Sequence, residues 1–380
     1  MSRIAQIERV GANADFAPSF EDLLNSGEPE LVRVALRRWL ARGEDAGATY
    51  VYGAWLKAGG EPELIRESLL EWLAGNAAAE KASYVYTAWL NAGGEPALVR
   101  DAIGVWLELH DERPVACFLY RAWLSAGGEP QVFSGRICDW LAAHTNDQAE
   151  AHNLYCAWLQ HGGEPAPLAR SLERWLAAHA WDEVAGPVCA SWLRAGGERD
   201  LIRTPIERWL SVHGESIGAN YVYEAWLKAG GEPELVREPI RGWLAAHAAD
   251  QLASFVYEAW LHASGEVELV RDAIGVWLAE HGGVTPGVTY VYDAWFQAGG
   301  DPELLREPIR DWLTANATKL SASFVFQGWL KSGGDPAVLR DSLRCWMRVH
   351  GESPSAKYVR RAWAGAGAGS SVPSQASRRF

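Results

Sequence analysis

The sequence predicts an all-α protein, a right-handed α-solenoid of about ten helix-hairpin repeats plus a closing helix. Three observations carry that prediction. Tryptophan recurs at a near-fixed interval, a Gly-Gly pair punctuates most intervals (Ser26-Gly27 and Ser264-Gly265 are softened copies), and in most copies an acidic-Pro pair restarts the chain after it. The 380 residues include 21 tryptophans. One series runs Trp55, Trp89, Trp123, Trp158, Trp192, Trp226, Trp260, Trp295, Trp329 and Trp363. A second runs Trp39, Trp72, Trp106, Trp140, Trp175, Trp209, Trp243, Trp277, Trp312 and Trp346. Steps within a series are 33 to 35 residues, and from Trp55 through Trp346 each first-series Trp precedes its second-series partner by 17. Only Trp181 lies outside both series. The extra residues before Trp158 and Trp295 enter on the return connection, so the hairpin is the repeated unit.

The copy at residues 220–251 shows why each element forms. Val222 with Trp226 and Tyr223 with Leu227 make a broad apolar arc on a first helix. Glu224 and Lys228 form a favourable i,i+4 pair on the other side. Gly230-Gly231 stops the helix, because glycine takes the left-handed conformation without strain. Glu232-Pro233 restarts it, proline being tolerated in a first turn and an acid suiting the helix dipole. Leu235, Val236, Ile240, Trp243 and Leu244 form the apolar face of the second helix, and His247 closes it. Interior prolines at Pro205, Pro239 and Pro308 predict a kink or short break in their second helices.

The ends carry polar replacements: Asp22 stands in a Trp position, and Arg360 and Ala364 stand in Tyr and Leu positions. The predicted organisation is an N-terminal extension over 1–15, the repeat domain over 16–365, and a flexible C-terminal tail over 366–380. Adjacent helices packed roughly 8–10 Å apart would make an array on the order of 90–100 Å along its curve.

Hairpins of this length match tetratricopeptide repeats, although the Trp-x-x-Leu-Gly-x-x-Tyr order is not present. The stretch Asp301-Pro302-Glu303-Leu304-Leu305-Arg306, like Glu232 to Arg237, resembles the acidic-Pro-x-x-Arg opening of second helices in HEAT repeats. The chain therefore resembles HEAT-like repeats of tetratricopeptide-like length. That resemblance implies a protein-binding scaffold; fold alone does not fix function.

Composition narrows the classes further. Apolar content of 48% with 22% charged residues belongs to a foldable chain. No run of eighteen apolar residues predicts a membrane span, and the N-terminus lacks a secretory apolar region. Five scattered cysteines without a Cys-x-x-Cys pair suit reduced thiols and a cytoplasmic location. The net charge of −13 makes nucleic acid an unlikely partner, although a local basic stripe would serve it.

Seven histidines (His110, His144, His179, His213, His247, His281, His350) follow second-series tryptophans by four residues. Equivalent copies one repeat apart cannot share a metal, and Asn76 and Asn316 fill the same slot, so helix capping is expected. The acids that open the second helices read as helix-start chemistry, and no nucleophile or phosphate-loop motif is present. No catalytic, cofactor or metal residues are predicted, and the tryptophan columns read as core.

Two first-helix columns vary freely: Lys57, Asn91, Ser125, Gln160, Arg194, Lys228, His262, Gln297, Lys331, and, two residues before each Trp, Gly53, Thr87, Arg121, Cys156, Ala190, Glu224, Glu258, Asp293, Gln327. The repeat breaks its own rule between Ser134 and Cys189. Ser134-Gly135-Arg136 replaces an Arg-acid-small triplet, Asn153 enters an aromatic column, Arg170 replaces an acid, and Gly186-Pro187 enters a helix pattern near Trp181. Trp181, Arg170, Arg136 and Asn153 are therefore the predicted partner-binding residues, the partner being another protein or peptide segment.

Overall fold

The computed structural model describes residues 33, 36, 40, 48–146, 148–263, 265–282 and 287–367. The predicted extension over 1–15, the polar cap at Asp22 and the tail from residue 368 lie outside the described residues. Among the described residues there is no strand, and the helices follow one another in alternating first and second positions. In chain order they are α1 Ala48–Lys57, α2 Arg66–Asn76, α3 Ala82–Asn91, α4 Pro96–His110, α5 Val115–Ser125, α6 Ser134–Ala143 and α7 Gln148–Gln160. There follow α8 Ala169–His179, α9 Ala185–Arg194, α10 Arg199–His213, α11 Ala219–Lys228, α12 Pro233–His247 and α13 Ala253–His262. The series ends with α14 Val267–His281, α15 Val288–Gln297, α16 Arg306–Asn316, α17 Ala322–Lys331, α18 Arg340–His350 and α19 Pro354–Gly365. Odd numbers are first helices and even numbers are second helices.

The chain divides into two compact units, one of residues 1–179 with 194–197, the other of 180–193 with 198–380. Within the first unit, α1 packs on α3, α3 on α5 and α5 on α7. Within the second, α11 packs on α13, α13 on α15, α15 on α17 and α17 on α19. Within each unit second helices contact neighbouring first helices, as α4 does α3 and α5, α12 does α11 and α10 does α11. Each unit is thus a row of hairpins whose first helices stack directly on one another.

Burial follows the predicted arc. Trp226, Trp243, Val222, Tyr223, Val236 and Ile240 are all buried, and so are their described equivalents along both units apart from the exposed Arg360 of the closing helix. The indoles also carry hydrogen bonds that close each hairpin. Trp226 Nε1 donates to the Glu232 carbonyl at 3.0 Å, and Trp89, Trp123, Trp158 and Trp295 do the same six residues ahead. Second-series indoles reach back to the connection before the first helix: Trp243 to the Ser216 carbonyl at 2.9 Å, Trp346 to that of Lys319 at 3.0 Å. A buried indole N–H must find such a partner, so these bonds fix the ring orientation as well as its burial.

The histidine column has a structural role, but with a different partner from the one expected. His110, His213, His247, His281 and His350 each place Nε2 2.7–3.1 Å from a carbonyl 32 residues upstream, in the connection leading into the first helix of the same hairpin. Each also packs its ring against the Trp four residues before it, stacked for His247 on Trp243 with centroids 5.0 Å apart and tilted in the other four. Asn76, Asn316 and His144 instead bond their own helix, at the carbonyls of Trp72, Trp312 and Trp140. A histidine is long enough to cross to the neighbouring connection, and asparagine is not. No group of residues suited to hold a metal occurs among the described residues.

The acidic column also departs from expectation. The Glu61, Glu95, Glu129, Glu198, Glu232 and Glu266 side chains make no capping bond, whereas the shorter Asp301 and Asp335 accept from the amides of Glu303 and Ala337 at 3.0 and 2.9 Å. The acids face the arginine of the preceding copy: Arg237 with Glu266 at 2.6 Å, Arg306 with Asp335 at 3.2 Å, Arg66 with Glu95 at 3.8 Å. Ser134 and Ala169 interrupt that arginine column.

The interior prolines do not set the breaks. Pro205 and Pro239 lie within the continuous helices α10 and α12. A short 3₁₀ turn precedes α2, α6, α8, α16 and α18, of which only α16 carries such a proline. Val236 and Ile240 are buried on either side of Pro239, and that anchorage outweighs one lost backbone bond.

Burial raises the pKa of the inner tyrosines Tyr86, Tyr120, Tyr223, Tyr257 and Tyr292, and pushes Tyr155 up to about 12 from 10.0. A raised folded-state pKa means that stability is fully present below the unfolded value near 10 and is lost as pH rises through the folded value. Chemical-denaturation midpoints should therefore be flat from neutral pH to about 10 and fall above it. A midpoint unchanged to pH 12 would contradict the burial of these hydroxyls.

Candidate protein-binding face

The first helices bury most of their circumference, so what they leave exposed is a narrow stripe. On α11 that stripe is Tyr221, Glu224 and Lys228, at i, i+3 and i+7. Tyr221 lies five residues before Trp226, about 140° away around a helix of 3.6 residues per turn. It therefore points outward while its neighbours Val222 and Tyr223 point in. The same position in other copies holds Tyr84, Phe118, Phe255, Tyr290, Phe324 and Tyr358, all exposed, up to 69% for Phe324.

In the first unit Tyr84 and Phe118 border a groove of about 430 Å³ across α1, α3 and α5, floored by Leu56, Ala88, Ala92 and Val115. In the second unit Phe324 borders a groove of about 250 Å³ between α15 and α17, with Phe296, Gly328 and the polar Asp293, Gln297, Gln327 and Lys331. Gly328 is needed there, since a Cβ would stand 2.6 Å from the Phe296 ring. Both grooves lie on the first-helix face and take their rims from the variable columns. Large aromatic side chains left in water on consecutive helices are unusual for a face with no partner.

The predicted partner-binding residues lie on different elements. Arg136 and Arg170 lie on second helices α6 and α8 of the first unit, Asn153 on first helix α7, and Trp181 in the second unit. Arg136 bonds Asp111 at 2.8 Å and the Leu107 carbonyl at 3.4 Å, which ties α6 to the end of α4. Arg170 is exposed near the start of α8, and Asn153 occupies the aromatic position of the first-helix stripe. Trp181 is 52% exposed, with the Arg208 guanidinium 6.0 Å above its ring. Its carbonyl receives His213 at 2.8 Å, the same bond that Glu215 makes with His247, so its backbone follows the regular repeat.

Gly186-Pro187 is not a helix interior. α9 begins at Ala185, so Pro187 sits in its first turn, where no backbone N–H is missed. Gly186 admits the Trp209 indole, since a Cβ there would stand 2.5 Å from Cζ2. Proline at 187 and Asn153 are the two interruptions of the outward aromatic column.

The sequence reading picked out the two polar columns of this stripe and missed the aromatic one. The signal was available: Tyr221 shares helical phase with Glu224 and Lys228 rather than with Trp226. Gly53 and Ala190, in the column two residues before each Trp, are buried, because those copies have no side chain long enough to leave the packed helix surface. No helix among the described residues is long and apolar enough to cross a membrane. No protein-family model matches the chain, and no curated protein matches it in sequence.

Proposed function

We propose that the chain is a non-catalytic, cytoplasmic scaffold or adapter that holds a segment of another protein along its first-helix face. The observation that carries this reading is the row of exposed aromatics, Tyr221, Phe255, Tyr290, Phe324 and Tyr358, on consecutive stacked helices. Aromatic side chains give large contact area at small entropic cost and are the usual anchors of protein interfaces. The unbroken spacing of the tryptophans supports reading all ten hairpins and the closing helix as one right-handed HEAT-like array. Neighbouring repeats would then engage one extended partner at once.

The test is selection from a displayed random-peptide library on the immobilised full chain. Peptides should enrich on the wild type and be lost on a variant carrying Tyr221→Ser, Phe255→Ser, Tyr290→Ser and Phe324→Ser. All four side chains are exposed, so circular dichroism should be unchanged. No enrichment on the wild type, or equal enrichment on the variant, would overturn the reading.

A second reading, nucleic-acid binding, draws on one local feature. α18, α19 and the intervening turn expose Arg340, Arg344, Arg348, Lys357, Arg360 and Arg361 against Asp341 and Glu352. Filter binding at low and high salt tests it: phosphate contacts predict a steep loss of affinity with salt.

A further inference from the structure

Three neighbouring first helices of the second unit, α11, α13 and α15, carry a charge pattern that names the kind of segment they would hold, on the reading that this face binds protein. Beside the aromatic row run Glu224, Glu258 and Asp293, three residues further along α11, α13 and α15. Lys228 is the one Lys or Arg on these three helices, with Nζ 3.1 Å from Glu224 and 3.7 Å from Glu258. Asp293 accepts from the Gln297 amide at 2.6 Å. Three carboxylates against one ammonium leave these helices at −2 with His262 neutral. In the first unit, α1, α3 and α5 carry Lys57 and Arg121 and no carboxylate. The acidic row is therefore a property of α11, α13 and α15 and not of the repeat: α17 and α19 carry Lys331, Lys357, Arg360 and Arg361 and no carboxylate.

We infer that this face takes an extended, basic peptide segment, with its cations set over the exposed aromatic rings and against the carboxylate row. Arginine is the best match, since its planar cation stacks on an aromatic face and pairs with a carboxylate in one pose. The spacing agrees. Packed helices lie about 8–10 Å apart, and a polyproline II segment advances about 9 Å per three-residue turn. One arginine in every third position meets one aromatic rung on each successive helix. A nucleic acid or an acidic peptide would bring its own anions onto Glu224, Glu258 and Asp293, which costs rather than contributes affinity.

The experiment measures fluorescence anisotropy of labelled peptides of about fifteen residues on the full chain. The peptides repeat Arg-Pro-Pro, Glu-Pro-Pro or Ser-Pro-Pro. The arginine peptide should bind at least about tenfold more tightly than either of the others. Glu258→Gln with Asp293→Asn should weaken it about tenfold, and Tyr290→Ala comparably, with circular dichroism unchanged. Equal affinity for the three peptides, or full affinity in the Glu258→Gln and Asp293→Asn variant, overturns the inference. So does tighter binding of a single-stranded oligonucleotide. If the library selection yields neutral or acidic peptides that depend on the aromatic row, the basic-segment inference falls and the binding face stands.

Discussion

Replacing Trp226 by alanine should destabilise its repeat by about 3–5 kcal/mol, the range for truncating a large buried aromatic side chain. The ring is 1% exposed and its N–H donates to the Glu232 carbonyl, so the substitution leaves a cavity and an unpaired acceptor at once. Two other substitutions set the scale. Lys228→Ala removes an exposed side chain with ion pairs to Glu224 and Glu258, and should change stability by no more than about 0.5 kcal/mol. Trp181→Ala removes an equally large side chain, but one 52% exposed and touching Arg208, and should cost about 1 kcal/mol or less. Repeat proteins lose structure locally, so the sharpest readout is amide exchange. Trp226→Ala should speed exchange in α11 and α12 while α3 and α4 change little. Equal shifts for Trp226→Ala and Trp181→Ala would mean that burial does not distinguish the tryptophan series from the stray one.

That contrast also shows what was legible before any coordinates. Two tryptophan series in register at 17 residues could only be a repeated hairpin, and the buried columns follow from phase. Function was less legible, because it resides in what the repeat leaves over. Tyr221 and Tyr223 are the same residue type two positions apart, and only the helical angle to Trp226 separates a surface anchor from a core residue. The bonds that cross from His247 to Glu215, or from Arg237 to Glu266, join residues about one repeat apart. Periodicity alone cannot say whether such a residue serves its own helix or the adjoining one. The irregular stretch from Ser134 to Cys189 drew attention for a sound reason, but much of it has a packing cause. Arg136 finds Asp111, Pro187 falls in a first turn, and Gly186 makes room for Trp209.

The two glycines of each punctuating pair should respond differently to the same substitution. Gly230 has φ of 75° and open space around it, the nearest atom to a built Cβ being Arg199 Nη1 at 3.7 Å. Gly230→Ala should cost about 1–2 kcal/mol, the penalty for placing a Cβ in the left-handed region. Gly231 has another reason to be glycine: a Cβ would lie 2.3 Å from Trp226 Cε2 and 2.5 Å from Cδ2 and Nε1. The Gly231 amide also closes the helix end on the Trp226 carbonyl at 2.9 Å, so neither the ring nor the backbone can yield alone. Gly231→Ala should therefore cost more than Gly230→Ala, about 3 kcal/mol or above, because overpacking comes with loss of the bond between the indole and Glu232. A double-mutant cycle isolates the cause. In a Trp226→Leu background the indole is gone, and Gly231→Ala should then cost far less, whereas Gly230→Ala should cost the same as before. Denaturation midpoints of the five variants, beside the wild type, decide it. If the Gly231 and Trp226 effects simply add, the ring does not dictate the second glycine, and backbone conformation alone accounts for both.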